Sequence, residues 1–316
     1  MNHAPSIAFQ ILQSVLVVLA APLFMGWVNQ CRAWLQNRSA PSILLPYYTL
    51  AKLFHKDAVI ARDASPLFRL TPYVLFGCMW LAAGIVPVLA TSLPFAPAAD
   101  IVALVGVFAL ARVFSALAAM DIGTSFGGIG ARREMLIGFL AEPAMLMTLF
   151  TAAFISGSTQ LTTIVETLAH REFAIYPSLA FAAVAFLMVL LAENARIPID
   201  NPTTHLELTM VHEAMILEYS ARHLALIEWA VAIKLFAYMT IGFAFFLPWG
   251  IAAAGNWAAL PVAVAALLAK LALAGAGLAL IETLLAKLRL FLAPEFLSTA
   301  FLLGVLGMLI HFLVSG

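Results

Sequence analysis

Apolar runs of about twenty residues recur along this chain, and each can cross roughly 30 Å of hydrocarbon at about 1.5 Å per helical residue. Inside a bilayer the backbone must satisfy its own hydrogen bonds, so runs of this length become helices. Reading apolar length against Pro, Gly and charge punctuation predicts eight spans, at about 7–29, 68–91, 100–120, 135–157, 174–193, 224–247, 257–282 and 295–314. The first run has no basic leader and no small-residue cleavage site, so it reads as a retained span rather than a signal peptide. With 64% hydrophobic and 10% charged residues, the 316-residue chain is expected to be one all-α polytopic membrane domain. Its formal charge is zero, so no bulk attraction to nucleic acid is implied.

The few Lys and Arg residues orient the spans. Arg32, Arg38, Lys52, Lys56, Arg62, Arg69, Arg132, Arg133, Arg196, Arg222, Lys287 and Arg289 fall in loops on one side, and Arg171 alone falls on the other. By the positive-inside rule both termini are then outside and the basic loops cytoplasmic. Within one such loop, "PSILLPYYTLAKLFHKDAVIAR" (41–62) sets Leu50, Leu53 and Phe54 at helical spacing against Lys52, His55 and Lys56. It is too short and too charged to span, which predicts an amphipathic helix on the membrane surface.

Several ionisable residues stand where charge is expensive. A charge at a helix centre costs about 2.5–3.5 kcal/mol on insertion scales, which makes it a functional candidate by default. Arg112 falls mid-way along the third span, Glu142 near the start of the fourth, Lys234 within the sixth and Lys270 near the centre of the seventh. A lysine stem of about 6 Å cannot reach an interface some 15 Å away, so Lys270 needs a carboxylate, a carbonyl or water beside it. Glu228 and Glu282 fall nearer the cytoplasmic ends, where an interfacial resting place costs little. Two readings of these residues stay open: a buried polar path carrying protons, or static ion pairs holding helices together.

The stretch "ENARIPIDNPTTHLELTMVHEAMILEYS" (193–220) gathers Glu193, Asp200, Glu207, Glu213 and Glu218, five of sixteen acidic residues, with His205 and His212. Pro198 and Pro202 break the fifth span, and Thr204-x-x-Glu207 resembles a capping box that starts a new helix. A helix continuing through residue 220 would align His205 with His212 and Glu207 with Glu218. "HEAMI" puts Ile216 where a zinc-binding HExxH needs its second His, so metal hydrolysis is disfavoured. A solvated surface helix and a carboxylate funnel feeding the membrane path from a partner domain both remain. The two cysteines, Cys31 and Cys78, form no CxxC or cluster-ligand set, so any redox centre belongs to other chains. No second copy of the "ENARIPIDNP" break occurs in the first half, which weighs against a self-contained transporter built from repeats.

"ENARIPID" with "LEYS" and "LALIEWAVAIKL" resembles the H-type membrane subunit of respiratory complex I. With "PYYTLAKLFHKD", "SPLFRLTPYV", "ALARVFSALAAMDIGTSFGGIGARREMLIGFLAEP" and "LAKLRLFLAP" in order, the chain resembles most the family of formate hydrogenlyase subunit 4 and hydrogenase-4 component C. The resemblance implies eight spans plus a surface helix (41–62) and a cytoplasmic acidic coupling loop (193–223). It implies a membrane-anchoring, ion-coupling subunit of a nickel–iron hydrogenase complex in a bacterial inner membrane, with no active site of its own. The implied partners are a hydrogenase-like large subunit, an iron–sulfur small subunit and antiporter-like membrane subunits, which hold the metal cofactors. The family's coupling acids would correspond to Glu142, Glu193, Asp200, Glu207, Glu213, Glu218 and Glu228. "HLELTMVHEAMI" replaces the usual complex I residues between Asp200 and Glu218, which favours a hydrogenase arm needing no quinone. A quinone-site subunit of complex I, a stand-alone ion transporter and an inert anchor are the rival readings.

Overall fold

Proline and short polar side chains set where the helices begin. Ser65 caps α3 (Pro66–Ile85) by accepting from the Leu67 amide at 3.1 Å, with Pro66 in the first turn. Asp100 caps α4 (Ile101–Asp121) through the Val102 amide, and Thr124 caps α5 (Ser125–Ser156) through the Gly127 amide. The computed structural model describes residues 4–61, 63–91, 94–170, 177–199, 211–253, 257–286 and 292–315. Its other helices are α1 (Ala4–Leu35), α2 (Leu45–Phe54), α6 (Leu161–His170), α7 (Pro177–Glu193), α8 (His212–Ile216), α9 (Ala221–Phe246), α10 (Leu260–Leu284) and α11 (Ala293–Ser315).

Seven of these helices are long and apolar enough to cross a membrane. The eighth expected span appears as α7, whose 17 residues make about 25 Å of helix, short of a full crossing. It is nevertheless packed against α5 and α11. The fourth expected span begins earlier than 135, because α5 starts at Ser125 and runs 32 residues, about 48 Å. Arg132, Arg133 and Glu134 thus continue the helix rather than form a loop. Beyond the helices, the described residues contain one two-residue parallel pairing, β1 (Ala90–Thr91) with β2 (Ala252–Ala253). Buried Gln13 of α1 holds the adjoining chain, donating to Val86 O at 2.8 Å and accepting from the Val88 and Leu89 amides.

Helix α9 is the axis of the bundle. Two-thirds of its apolar window is buried, and α1, α2, α3, α7 and α10 all pack on it. Tyr238, its largest fully buried side chain, packs on Phe108 of α4 and Phe186 of α7. Of the segment 41–62, expected to be helical, only the ten residues of α2 (Leu45–Phe54) form helix. Leu50 is buried, Phe54 meets Trp229 of α9 edge-on, and Lys52, His55 and Lys56 are exposed.

The chain between α1 and α2 crosses α1 directly over Gly26, where a Cβ would lie 2.0 Å from Ile43 O. Only glycine fits there, since a backbone carbonyl cannot swing aside as a side chain does. Gly26→Ala is expected to cost about 1–3 kcal/mol in detergent thermal unfolding, as overpacking does. Gly106→Ala, whose added Cβ would meet nothing within 4 Å, should be neutral or stabilise α4 by about 0.5–1 kcal/mol. Equal effects at the two sites would show that the α1 crossing is not tight.

Candidate functional site

Four helices converge on one guanidinium. Arg112 of α4 is buried, and its three nitrogens face three carboxylates. NH1 pairs with Glu142 of α5, NH2 pairs with Glu193 at the end of α7, and Nε lies 3.5 Å from Glu134 Oε1. Lys234 of α9 completes the group, with Nζ 3.0 Å from Glu193 Oε2 and donating to Glu193 O at 2.6 Å. Its ammonium therefore also caps the negative end of α7. With all five groups ionised the cluster sums to one negative charge, so it has room for a proton.

The sequence places these groups by helical phase. Glu134, Gly138 and Glu142 follow at i, i+4 and i+8 on one face of α5. Gly138 sits between the two carboxylates because a Cβ there would lie 2.4 Å from Arg112 NH1. The guanidinium thus rests against the helix backbone. Glu142 is the least buried carboxylate of the three, with a third of its side chain exposed at the lateral face of α5 beside exposed Phe139. Sequence reasoning missed Glu134, whose signal was this regular spacing around a glycine.

A second ion group lies three residues beyond Glu193. Ala195 adopts the left-handed region (φ 48°), and the amides of Ala195 and Arg196 bond back to Ala192 and Leu191. This ends α7 and turns Arg196 toward α10, where NH1 donates to Glu282 Oε1 at 2.9 Å. Arg32 of α1 reaches Glu282 Oε2 at 3.5 Å. Glu282, expected nearer the cytoplasmic end of its span, is buried between two arginines.

Two cavities lie beside these groups. The larger, about 280 Å³, is bounded by Arg32, Arg196, His212, Glu213 and Glu228. The smaller, about 50 Å³, is bounded by Arg112, Glu134, His212 and Lys234. His212 and Val231 line both, so His212 stands at their junction. Among the described residues no group of three or more His, Cys, Asp or Glu is arranged to hold a metal ion.

Not every expected site residue joins this assembly. Lys270 bonds the carbonyls of Leu247, at 2.6 Å, and Trp249, capping the far end of α9. Carbonyls were one of the partners it needed, but they hold it away from the other charges. Asp200, His205 and Glu207 lie outside the described residues. Of the helix expected to run through residue 220, α8 carries His212 and Glu213 and stops at Ile216. Glu218 is exposed.

Helix α8 stops because "LEYS" serves a different purpose. The Tyr219 ring stacks on Phe68 at 3.9 Å, and its hydroxyl donates to Phe68 O at 3.1 Å. Ser220 Oγ accepts from the Val59 amide at 2.9 Å and donates to Val59 O at 2.6 Å. The pair clamps the connection from α2 to α3. Burial pushes the Tyr219 hydroxyl above its ordinary value of about 10. A raised folded-state pKa means the contribution is whole below about pH 10 and is lost as pH rises beyond it. Tyr219→Phe should cost about 1 kcal/mol at neutral pH. It should also flatten the alkaline limb of stability above pH ~10, read by thermal unfolding against pH.

Comparison with known proteins agrees with this architecture. The NADH dehydrogenase family profile matches residues 7–313. The chain is 31% identical to formate hydrogenlyase subunit 4 of Escherichia coli (strain K12) over 92% of its length and 94% of that protein. It is 33% identical to hydrogenase-4 component C of the same organism, over 95% of its length and 94% of that protein. Among solved structures, a chain of the membrane-bound sulfane sulfur reductase (MBS), an archaeal respiratory membrane complex, superposes with a TM-score of 0.79 at 19% identity. That match covers 95% of this chain and 98% of the other, and it speaks for the fold. Seven membrane-length helices, a full-length profile match and two relatives above 30% identity make this chain a multi-pass membrane protein that belongs to the NADH dehydrogenase family, alongside formate hydrogenlyase subunit 4 and hydrogenase-4 component C.

Proposed function

We propose that this chain anchors and couples a nickel–iron hydrogenase complex of the formate hydrogenlyase or hydrogenase-4 type in a bacterial inner membrane. A peripheral arm of large and iron–sulfur small subunits would sit on the basic-loop side, with antiporter-like subunits alongside and both termini on the opposite face. The observation that carries this reading is the buried five-member charge cluster. It connects inward to cavities lined by His212, Glu213 and Glu228, and outward to the exposed edge of Glu142.

In this reading His212 and Glu213 pass a proton into the larger cavity, and Glu228 lies on its wall. The smaller cavity brings the proton to Glu134, Glu193 shares it through Arg112 and Lys234, and Glu142 offers it to a neighbouring subunit at the lateral face. Arg112 and Lys234 hold the three carboxylates together along this route. Asp200, His205 and Glu207 would belong to the entry side of this route. Glu218 and Lys270 stand apart from it.

The reading is tested by purifying the tagged protein in mild detergent, identifying its companions by mass spectrometry and measuring nickel and iron. A nickel-containing large subunit without bound quinone is the expected result. Nickel-free, flavin-containing, NADH-oxidising partners with quinone would instead place the chain in a complex I. A chain that emerges alone would overturn both and point to a transporter.

A further inference from the structure

A third cavity, of about 470 Å³, opens beyond the last turn of α1. Asn29, Arg32, Gln36, Arg38, Ser39 and Glu282 line it. Its one carboxylate among the described residues is already used. Both oxygens of Glu282 face guanidinia, Oε1 that of Arg196 at 2.9 Å and Oε2 that of Arg32 at 3.5 Å. Two arginines on one carboxylate leave a net positive floor. Arg38 adds a further charge at the rim, exposed and without an ion-pair partner among the described residues. Asn29 Oδ1 is taken by Arg32 NH2 at 3.2 Å, which leaves its amide N–H groups to donate. Ser39 and Gln36 supply neutral donors. The cavity is thus a cationic, donor-rich pocket whose own acid is spent.

We propose that this cavity binds the phosphate headgroup of an anionic phospholipid. A phosphodiester matches the forked donors of arginine. The surroundings favour a lipid over free phosphate. The cavity sits where the apolar helix Ile7–Leu35 ends, which is the depth of lipid headgroups. Trp34 and Leu35 at that end are about half exposed, as are Leu44, Leu45 and Tyr48 at the start of α2. Trp and Tyr concentrate at that depth. On α10, Leu280 and Leu284 are exposed on either side of Glu282, where acyl chains would lie. Basic pockets between membrane helices are a recurring way to hold anionic headgroups.

The test is native mass spectrometry of the full-length protein with its co-purifying subunits, delipidated and then offered phosphatidylglycerol or phosphatidylcholine. Retention of one phosphatidylglycerol, preferred over phosphatidylcholine by about five-fold or more, is expected. Arg38→Gln should reduce that retention about five-fold and Arg38→Lys should keep most of it. Because Arg38 is exposed and outside every ion pair among the described residues, neither variant threatens folding. Equal retention of the two lipids, or an unchanged Arg38→Gln variant, would overturn the proposal. Displacement of the lipid by inorganic phosphate alone would overturn the lipid source, leaving a site for free phosphate.

Discussion

In the hydrogenase complex proposed above, Glu193→Gln is expected to leave hydrogen turnover within about two-fold while cutting proton translocation about ten-fold or more, the scale on which losing a proton-transfer group acts. Gln keeps the shape of the side chain and still accepts a hydrogen bond from Arg112. Lys234 loses the Oε2 partner but keeps the Glu193 carbonyl at 2.6 Å. Arg112 retains Glu134 and Glu142, and the cluster goes from one negative charge to neutral. The helices therefore stay packed, and what disappears is a group that can take up and release a proton. The measurement is a pH-sensitive dye in proteoliposomes, read against hydrogen in the same sample. An unchanged ratio of protons moved per turnover would reduce the cluster to a static ion network. Glu218→Gln is the internal control, because that carboxylate is exposed and should leave the ratio unaltered.

The second large effect concerns stability. Arg112→Leu leaves Glu134, Glu142 and Glu193 facing one another with Lys234 alone to balance them, a net charge of minus two if all stay ionised. Breaking a buried ion pair by removing one partner costs about 3–5 kcal/mol, because the surviving charge has lost its water and its partner together. The variant should therefore show a strongly lowered thermal midpoint in detergent and reduced amounts in the membrane. Arg112→Lys should recover only part, since one compact ammonium cannot serve three carboxylates held on separate helices. Adding Glu193→Gln to Arg112→Leu should restore some stability, a non-additive result that identifies the carboxylates' repulsion as the cause. A loss below about 1 kcal/mol for Arg112→Leu would mean that water already solvates the site.

The two variants separate the roles of the cluster. Glu193 carries the proton in the coupling reading, whereas Arg112 holds the acids together whether or not protons move. Arg112→Leu therefore tests the packing, and Glu193→Gln tests the function.

Much of the fold was legible along the chain. Apolar length alone located seven membrane-length helices, since a bilayer's thickness converts directly into residue count. A short helix within 41–62 was legible from the spacing of Leu50, Leu53 and Phe54 against Lys52 and Lys56. Arg112, Glu142, Glu193 and Lys234 stood out because charge inside an apolar helix is costly enough to need a reason. The end of α8 was less legible. Capping chemistry around Thr204 implied a helix through residue 220, but Tyr219 and Ser220 are drawn away to Phe68 and Val59, about 150 residues distant in sequence.

Sequence by itself therefore determined that the chain is built of apolar membrane-length helices and roughly where most of them lie, because this follows from local solvation and backbone hydrogen bonding. The tertiary structure alone decided which charges meet. Helical periodicity fixes the angle of a side chain about its own axis, but not which neighbour that angle faces. Lys234 and Lys270 look alike as single lysines in apolar helices, yet the packing of α9 against α7 gives one a carboxylate and the end of α9 gives the other two carbonyls. Glu134, just outside the expected fourth span at 135–157, became a member of the cluster because α5 begins ten residues earlier and carries it beneath Arg112.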